Sequence, residues 1–241
     1  MRARWLALLG VLVSGQGLAQ DALAPQGAKI HMHAGDGGYA ADGYLFQPPG
    51  PGPFSAVLLI PDDRGVADYI RTQASELAAA GHLAVAIDLF RGRGAQSGNP
   101  PEADAMHDLS AALTFIRSLP SVRTAEIGIA GWGTGAGYAV KLARSNSDIR
   151  AIVLTQADSP KPGALAGVRA ALLGNFGGSD NRSLQALAAR RRGPGCEVHL
   201  YFYPHGQGRF YDSQDAAHFR ADDAKAAGAR VQEFLSKALG P

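Results

Sequence analysis

The chain has 241 residues, of which 46% are hydrophobic and 18% charged, with a formal net charge of +2. That length suits one large α/β domain with a sizeable core, and the composition excludes a disordered chain or a coiled coil laced with ion pairs. Once Arg2 and Arg4 near the start are set aside, acids and bases balance, so no general electrostatic attraction to nucleic acid or anionic membrane is expected.

In chain order, the first segment reads as an address. Met1 to Gln20 has two arginines, an apolar stretch from Trp5 to Val13, and a small, polar end at Gly17-Leu18-Ala19. This three-part layout predicts a secretory signal over residues 1–19, cleaved after Ala19, and a periplasmic or secreted product. The apolar stretch is shorter than the roughly 20 residues a span requires, so no membrane span is expected in the mature chain. Cys196 is the one cysteine and forms no internal disulfide, which leaves the core alone to hold an exported domain over residues 20–241.

Lys29–His33 and Tyr39–Phe46 predict a strand pair. Ser55–Ile60 and His82–Leu89 are continuous apolar runs, as expected of strands buried on both faces. Between them, Ile70, Ala74, Leu77 and Ala78 mark a helix over Asp68–Ala80 that stops at Gly81. Glu102–Leu119 is an amphipathic helix. Glu126–Gly131 is a short strand running through Gly-Trp-Gly-Thr-Gly into a helix ending near Ala143. Strands over Ile149–Thr155, Val168–Phe176 and Glu197–Tyr203, a helix over Ser183–Arg192 and a long closing helix over Gln214–Leu239 complete the pattern. Such alternation implies an α/β fold with a mostly parallel central sheet and helices on both faces. Ligands bind such sheets at the carboxyl ends of the strands, so the informative residues should follow Ile60, Leu89, Ala130, Phe176 and Tyr203.

With these motifs in order, the mature chain resembles the dienelactone hydrolase family of α/β-hydrolases. The matching stretches are LLIPDDRG at 58–65, ELAAAGHLAVAIDLFRGR at 76–93, IGIAGWGTGAGYAVKLA at 127–143, LLGNFGGSD at 172–180 and VHLYFYPHGQGRF at 198–210. The resemblance implies ester or lactone hydrolysis by a nucleophile, a histidine and an aspartate, with the nucleophile at the centre of G-x-(C/S)-x-G on a sharp strand-to-helix turn. Here that centre is Gly133. The family's histidine stretch corresponds to Tyr203–Phe210, and without a gap the histidine position falls on Gly208. Of the triad only the acid is kept, as Asp180. Glycine offers no oxygen or sulfur to a carbonyl, and losing nucleophile or base costs about 10⁶ in kcat.

Each remaining candidate has a functional and a structural reading. His205 is the histidine nearest the expected place; it either pairs with Asp180 after a loop rearrangement or is an ordinary loop residue. Thr134 offers its backbone N–H to a bound oxyanion at a helix start, but its hydroxyl sits one residue past the attacking position. Asp62 and Asp63 face the same carboxyl-end crevice and either activate water or hold a cation, or they begin a solvated turn ahead of the next helix. Arg91 and Arg93 suit a substrate carboxylate or a surface loop, and Trp132 lines a pocket or fills core. His31 and His33 share a strand face without a third ligand, so no metal is expected, and no cofactor. These residues predict a broken-triad protein that binds a small-molecule ligand or joins a periplasmic protein partner; the alternative is an active carboxylic-ester or lactone hydrolase with relocated groups. On sequence alone, Gly133→Ser with Gly208→His should restore some turnover.

Overall fold

The apolar runs fold as one sheet. A computed structural model describes residues 27–33, 38–92, 98–156, 160–178, 182–190 and 196–240. The leader, Arg93, Asp180 and the Arg191-Arg192 end of the expected fourth helix lie outside the described residues. Strands β1 (Ala28–His33), β2 (Tyr39–Phe46), β3 (Phe54–Ile60), β4 (His82–Asp88), β5 (Val122–Trp132), β6 (Ile149–Gln156), β7 (Ala171–Gly177) and β8 (Val198–Tyr203) lie in the order β1-β2-β4-β3-β5-β6-β7-β8. β2 runs antiparallel to both β1 and β4, and every other adjacent pair is parallel.

The period of two along each central strand feeds two cores. Leu58 and Ile60 of β3 face one side, with Leu109 of α2 (Glu102–Ser118) and Ala139 of α3 (Thr134–Ser145). Val57 and Leu59 face the other, with Ile70 and Leu77 of α1 (Asp68–Ala79) and Val231 and Leu235 of α5 (Ala221–Leu239). Leu184 of α4 (Arg182–Arg190) joins the first core. Because both faces are covered, β3, β4 and β7 need apolar residues at nearly every position, which is why they read as unbroken runs.

Three expected boundaries move. β5 begins at Val122 rather than Glu126, because Val122 pairs with Phe54 before the register shifts. β7 begins at Ala171 rather than Val168, because a 3₁₀ turn over Pro162–Leu165 ends with the Val168 amide bonded to the Leu165 carbonyl. The closing helix begins at Ala221, seven residues later than Gln214. Asp212 causes that difference. Its buried carboxylate accepts the Gln214 amide at 2.9 Å, an Asx turn that competes with the first helical turn. The Arg220 amide then returns to the Phe210 carbonyl, so residues 212–220 form a knot of turns lying ahead of α5.

Candidate functional site

β3 connects to β4 on one side of the sheet, while β5 stands on its other side, so the strand order reverses between β3 and β5. A crevice is expected at the carboxyl ends of such a pair. Asp62 and Gly133 are the residues that follow those ends.

β5 passes into α3 through Gly133, whose φ of 50° and ψ of −120° make the sharp turn. The Gly133 amide donates to the Thr155 carbonyl at 2.9 Å, and its own carbonyl accepts the Ala136 amide at 3.1 Å. Gly131 and Gly135 are required by close packing. A Cβ on Gly135 would lie 2.2 Å from the Ile60 carbonyl oxygen, and one on Gly131 would lie 2.5 Å from the Gly135 oxygen. The strand–turn–helix geometry is therefore intact at a position that has no side chain.

The space in front of Gly133 is taken. A Cβ there would stand 2.9 Å from the Asp62 Cβ and 3.1 Å from the Tyr211 hydroxyl oxygen. Asp62 is 2% exposed. Its Oδ1 accepts the Arg64 amide at 2.9 Å and the Tyr69 hydroxyl at 2.8 Å. Its Oδ2 accepts Arg209 Nε at 2.8 Å and the Tyr211 hydroxyl at 3.2 Å. A second Arg209 nitrogen bonds Asp63, and Arg64 Nη1 meets Asp212 Oδ2 at 2.7 Å.

Burial and the Asp62 charge push the Tyr69 and Tyr211 hydroxyls well above the usual phenol range. Both therefore remain donors at neutral pH, and the two rings pack 5.2 Å apart between centroids. Burial works against the Arg209 charge, but its hydrogen bonds to Asp63 and Asp62 outweigh that and hold the guanidinium more firmly protonated than usual. Each buried oxygen of Asp62 thus has two donors, and one of them is a cation. A carboxylate so saturated is a cross-link between the β3 turn and the 209–211 segment, with no lone pair left to activate water.

The histidine position is also occupied. Gly208 has φ of 54°, and a Cβ on it would fall 2.5 Å from Cγ of His218. His218 Nδ1 pairs with Asp215 Oδ1 at 3.0 Å, and this bond holds the Asp215 carboxyl below its ordinary range. The ungapped alignment missed His218 because it reaches this place from the 212–220 turns. Its distance along the chain, ten residues past Gly208, is the only signal the sequence carried.

The other candidates are placed as follows. His205 is exposed, in the turn where its carbonyl accepts the Gln207 amide at 3.0 Å. Thr134 is exposed at the first turn of α3. Arg91, also exposed, lies 3.5 Å from the buried Asp108 of α2 beside a cavity of about 240 Å³. His31 pairs with Asp42 at 2.6 Å, and no cluster suited to a metal ion occurs among the described residues. Trp132 is 2% exposed; it packs in the α1/α5 core and also lines a cavity of about 430 Å³ beside the turn. Arg209, Tyr211 and Tyr69, with His218, are the site residues that the sequence did not reveal.

A model of the dienelactone hydrolase family matches residues 41–239. A carboxymethylenebutenolidase homologue of Methylorubrum extorquens is 25% identical over 245 residues, covering 90% of this chain and 83% of its own. Among solved structures, a dienelactone hydrolase of Anabaena variabilis superposes with a TM-score of 0.66 at 20% identity, covering 90% of this chain and 100% of that one. Esterase 2 of Thermogutta terrifontis, phosphoramylated by tabun, gives 0.66 at 17% identity, covering 93% and 100%.

Proposed function

The chain belongs to the dienelactone hydrolase family, and we propose that within it this protein is an exported, non-hydrolytic member that binds a small molecule. The observation carrying this reading is the packing around Gly133. The nucleophile's position supplies neither oxygen nor sulfur, and the room a side chain would need is filled by Asp62 and Tyr211. The turn is held by its flanking glycines, and a buried cross-link stands where a reacting group would project. A ligand binder should keep a concave space at this end of the sheet, whereas a purely structural partner-binding protein has no need of one. The cavity of about 430 Å³ beside Trp132 falls within the size range of ligand pockets and favours binding instead.

Export rests on the leader composition, with a product starting at Gln20 in the periplasm or outside the cell. Intact mass of protein recovered from its native host tests it; a membrane-bound species retaining Met1–Ala19 would reject it.

The central test is covalent labelling. The Thermogutta esterase, which shares this fold, is phosphoramylated by tabun, so organophosphates report on an activated nucleophile held in such a fold. Incubated with excess paraoxon, the present chain should gain no mass and should release no burst of nitrophenol. A stoichiometric adduct, traced by peptide mapping to any serine, threonine or cysteine, would establish a nucleophile and overturn the reading.

One observation favours the rival, an active ester or lactone hydrolase with relocated groups: the His218–Asp215 pair stands where the family histidine's side chain would begin. A base so placed is useful only beside a nucleophile, and the paraoxon experiment decides between the two readings. An adduct lost in the His218→Ala protein would assign His218 as the base.

A further inference from the structure

Two buried polar residues stand level on adjacent strands beside the cavity of about 430 Å³. In the sheet register Trp132 is level with Thr155, and Thr155 with Asn175, so the three form a row across the ends of β5, β6 and β7. By strand alternation all three face the α1/α5 side: Ala130, Ala151, Val153, Ala171 and Leu173, two or four residues earlier, belong to that core. Thr155 is 2% exposed and Asn175 fully buried. The Thr155 hydroxyl and Asn175 Nδ2 find no hydrogen-bond partner among the described residues. Asn175 is nonetheless fixed in place, because its Oδ1 accepts the Tyr203 hydroxyl at 3.0 Å and Arg230 in turn donates to Tyr203.

Buried polar atoms are rarely left without a partner, and orphans call for a water, an ion or a ligand. The cavity above this row is about 430 Å³ and is bounded by α1, α5 and the 211–221 segment. Trp132, Tyr69, Tyr211 and Phe219 give it aromatic surface, and Thr155 reaches it directly, while Asn175 stands one strand further from it, off the lining. Its wall carries Glu76, which holds the amides of Gln73 at 2.8 Å and Gln232 at 2.9 Å, and Asp68, which holds Gln214 at 2.8 Å. Among the described residues, Lys225 is the one cation on the lining, and it is exposed. Carboxylates on the wall and no cation on the floor reject an anion. Aromatic surface around one unpartnered hydroxyl, which can donate or accept, suits a flat, neutral molecule bearing a single oxygen.

We propose that this cavity binds a small uncharged ring compound carrying a hydroxyl or carbonyl oxygen, the oxygen meeting the Thr155 hydroxyl and the ring lying against Trp132, Tyr69 and Tyr211. The proposal rests on the ligand-binding reading above and names its site and ligand class. It places the ligand on the α1/α5 side of the strand ends, away from the space in front of Gly133.

Trp132 is one of two tryptophans, the other being Trp5 in the leader, so the full chain carrying Trp5→Phe has a single indole, inside the cavity. Its emission is titrated with benzyl alcohol and benzamide, with toluene as the oxygen-free comparator and benzoate as the anion. Benzyl alcohol and benzamide should give saturable changes, about tenfold tighter than toluene, the worth of one net hydrogen bond. Benzoate should give none. Thr155→Val should abolish that tenfold preference without lowering the melting temperature, and Thr155→Ser should keep it.

Silent emission with both oxygenated probes, equal affinity for toluene, or a preference unchanged in the Thr155→Val protein would overturn the proposal. Turnover of phenyl acetate, followed on the same preparation, separates the two claims. Turnover with saturable emission would sink the non-hydrolytic reading and leave the cavity standing. No turnover with silent emission would sink the cavity alone.

Discussion

A single methyl group added at Gly133 measures how completely the crevice has been closed. The backbone there has φ of 50° and ψ of −120°, a region that costs a residue with a side chain roughly 1–3 kcal/mol. The added Cβ would stand 2.9 Å from the Asp62 Cβ. That atom is not the free end of a flexible side chain, since the carboxylate beyond it is held by four hydrogen bonds. Overpacking against a fixed neighbour adds roughly 1–3 kcal/mol, so Gly133→Ala should destabilise the fold by about 2–6 kcal/mol. For a domain of this size each kcal/mol moves the melting temperature by about 2–4 °C, and the expected fall is about 5–20 °C. Gly137→Ala is the control, because a Cβ at that exposed position of α3 meets nothing within 4 Å and alanine favours a helix by up to about 1 kcal/mol. Thermal unfolding followed by circular dichroism reads both. A melting temperature for the Gly133→Ala protein within about 2 °C of the parent would show that Asp62 yields freely and that the crevice is not closed.

Two further substitutions probe the supports around it. Arg209→Met leaves the buried Asp62 without its cation and should cost about 2–4 kcal/mol in urea unfolding, somewhat less than the roughly 3–5 kcal/mol of a fully buried broken pair because the guanidinium is one-third exposed; Arg209→Lys should recover only part of this, since an ammonium lacks the fork that spans both aspartates. At the other end of the sheet, burial first and the nearby Arg123 second lower the pKa of His82, whose ring nitrogens meet Ser55 Oγ at 2.6 Å and Ser236 Oγ at 3.1 Å. The unfolded chain then binds the proton more readily, so stability should fall as pH drops below about 6.5; the slope should flatten in the His82→Asn protein, and an unchanged slope would assign the effect to other histidines.

What the sequence made legible follows from which forces are local. Unbroken apolar runs such as Ser55–Ile60 mark strands covered on both faces. The small residues around Gly133 mark a turn where helix and strand approach closely, and both were read correctly because the cause lies within a few residues. The knot at 212–220 was not legible. Gln214, Asp215, Ala216 and Ala217 are acceptable helix residues, and only the buried side chain of Asp212, held by Arg64 from the other half of the chain, turns them away. Arg209 escaped for a similar reason: its partners are Asp62 and Asp63, remote in sequence and adjacent only once β3 and β8 share a sheet. The polar row at Thr155 and Asn175 did leave a trace, a hydroxyl and an amide near the ends of two apolar strands. Its meaning depended on a register that periodicity alone does not fix.

The same packing changes the outlook for restoring a triad. On sequence alone, Gly133→Ser and Gly208→His together should return some ester turnover, because triad members act as a unit. In the folded chain both new side chains begin inside existing atoms, the first against Asp62 and the second against the His218 ring at 2.5 Å. The double replacement should therefore be less stable than the parent and still silent toward paraoxon. Adding Asp62→Gly, Tyr211→Phe and His218→Ala removes the groups that each new side chain would meet first. If occupancy is the barrier, only this cleared protein should take up the phosphoryl group at position 133, read as an intact-mass adduct that a matched protein retaining Gly133 lacks. Labelling of the double replacement at the parent's melting temperature would refute this reasoning, because it would require Asp62 and His218 to move aside at little cost and would return the open crevice that the sequence first suggested.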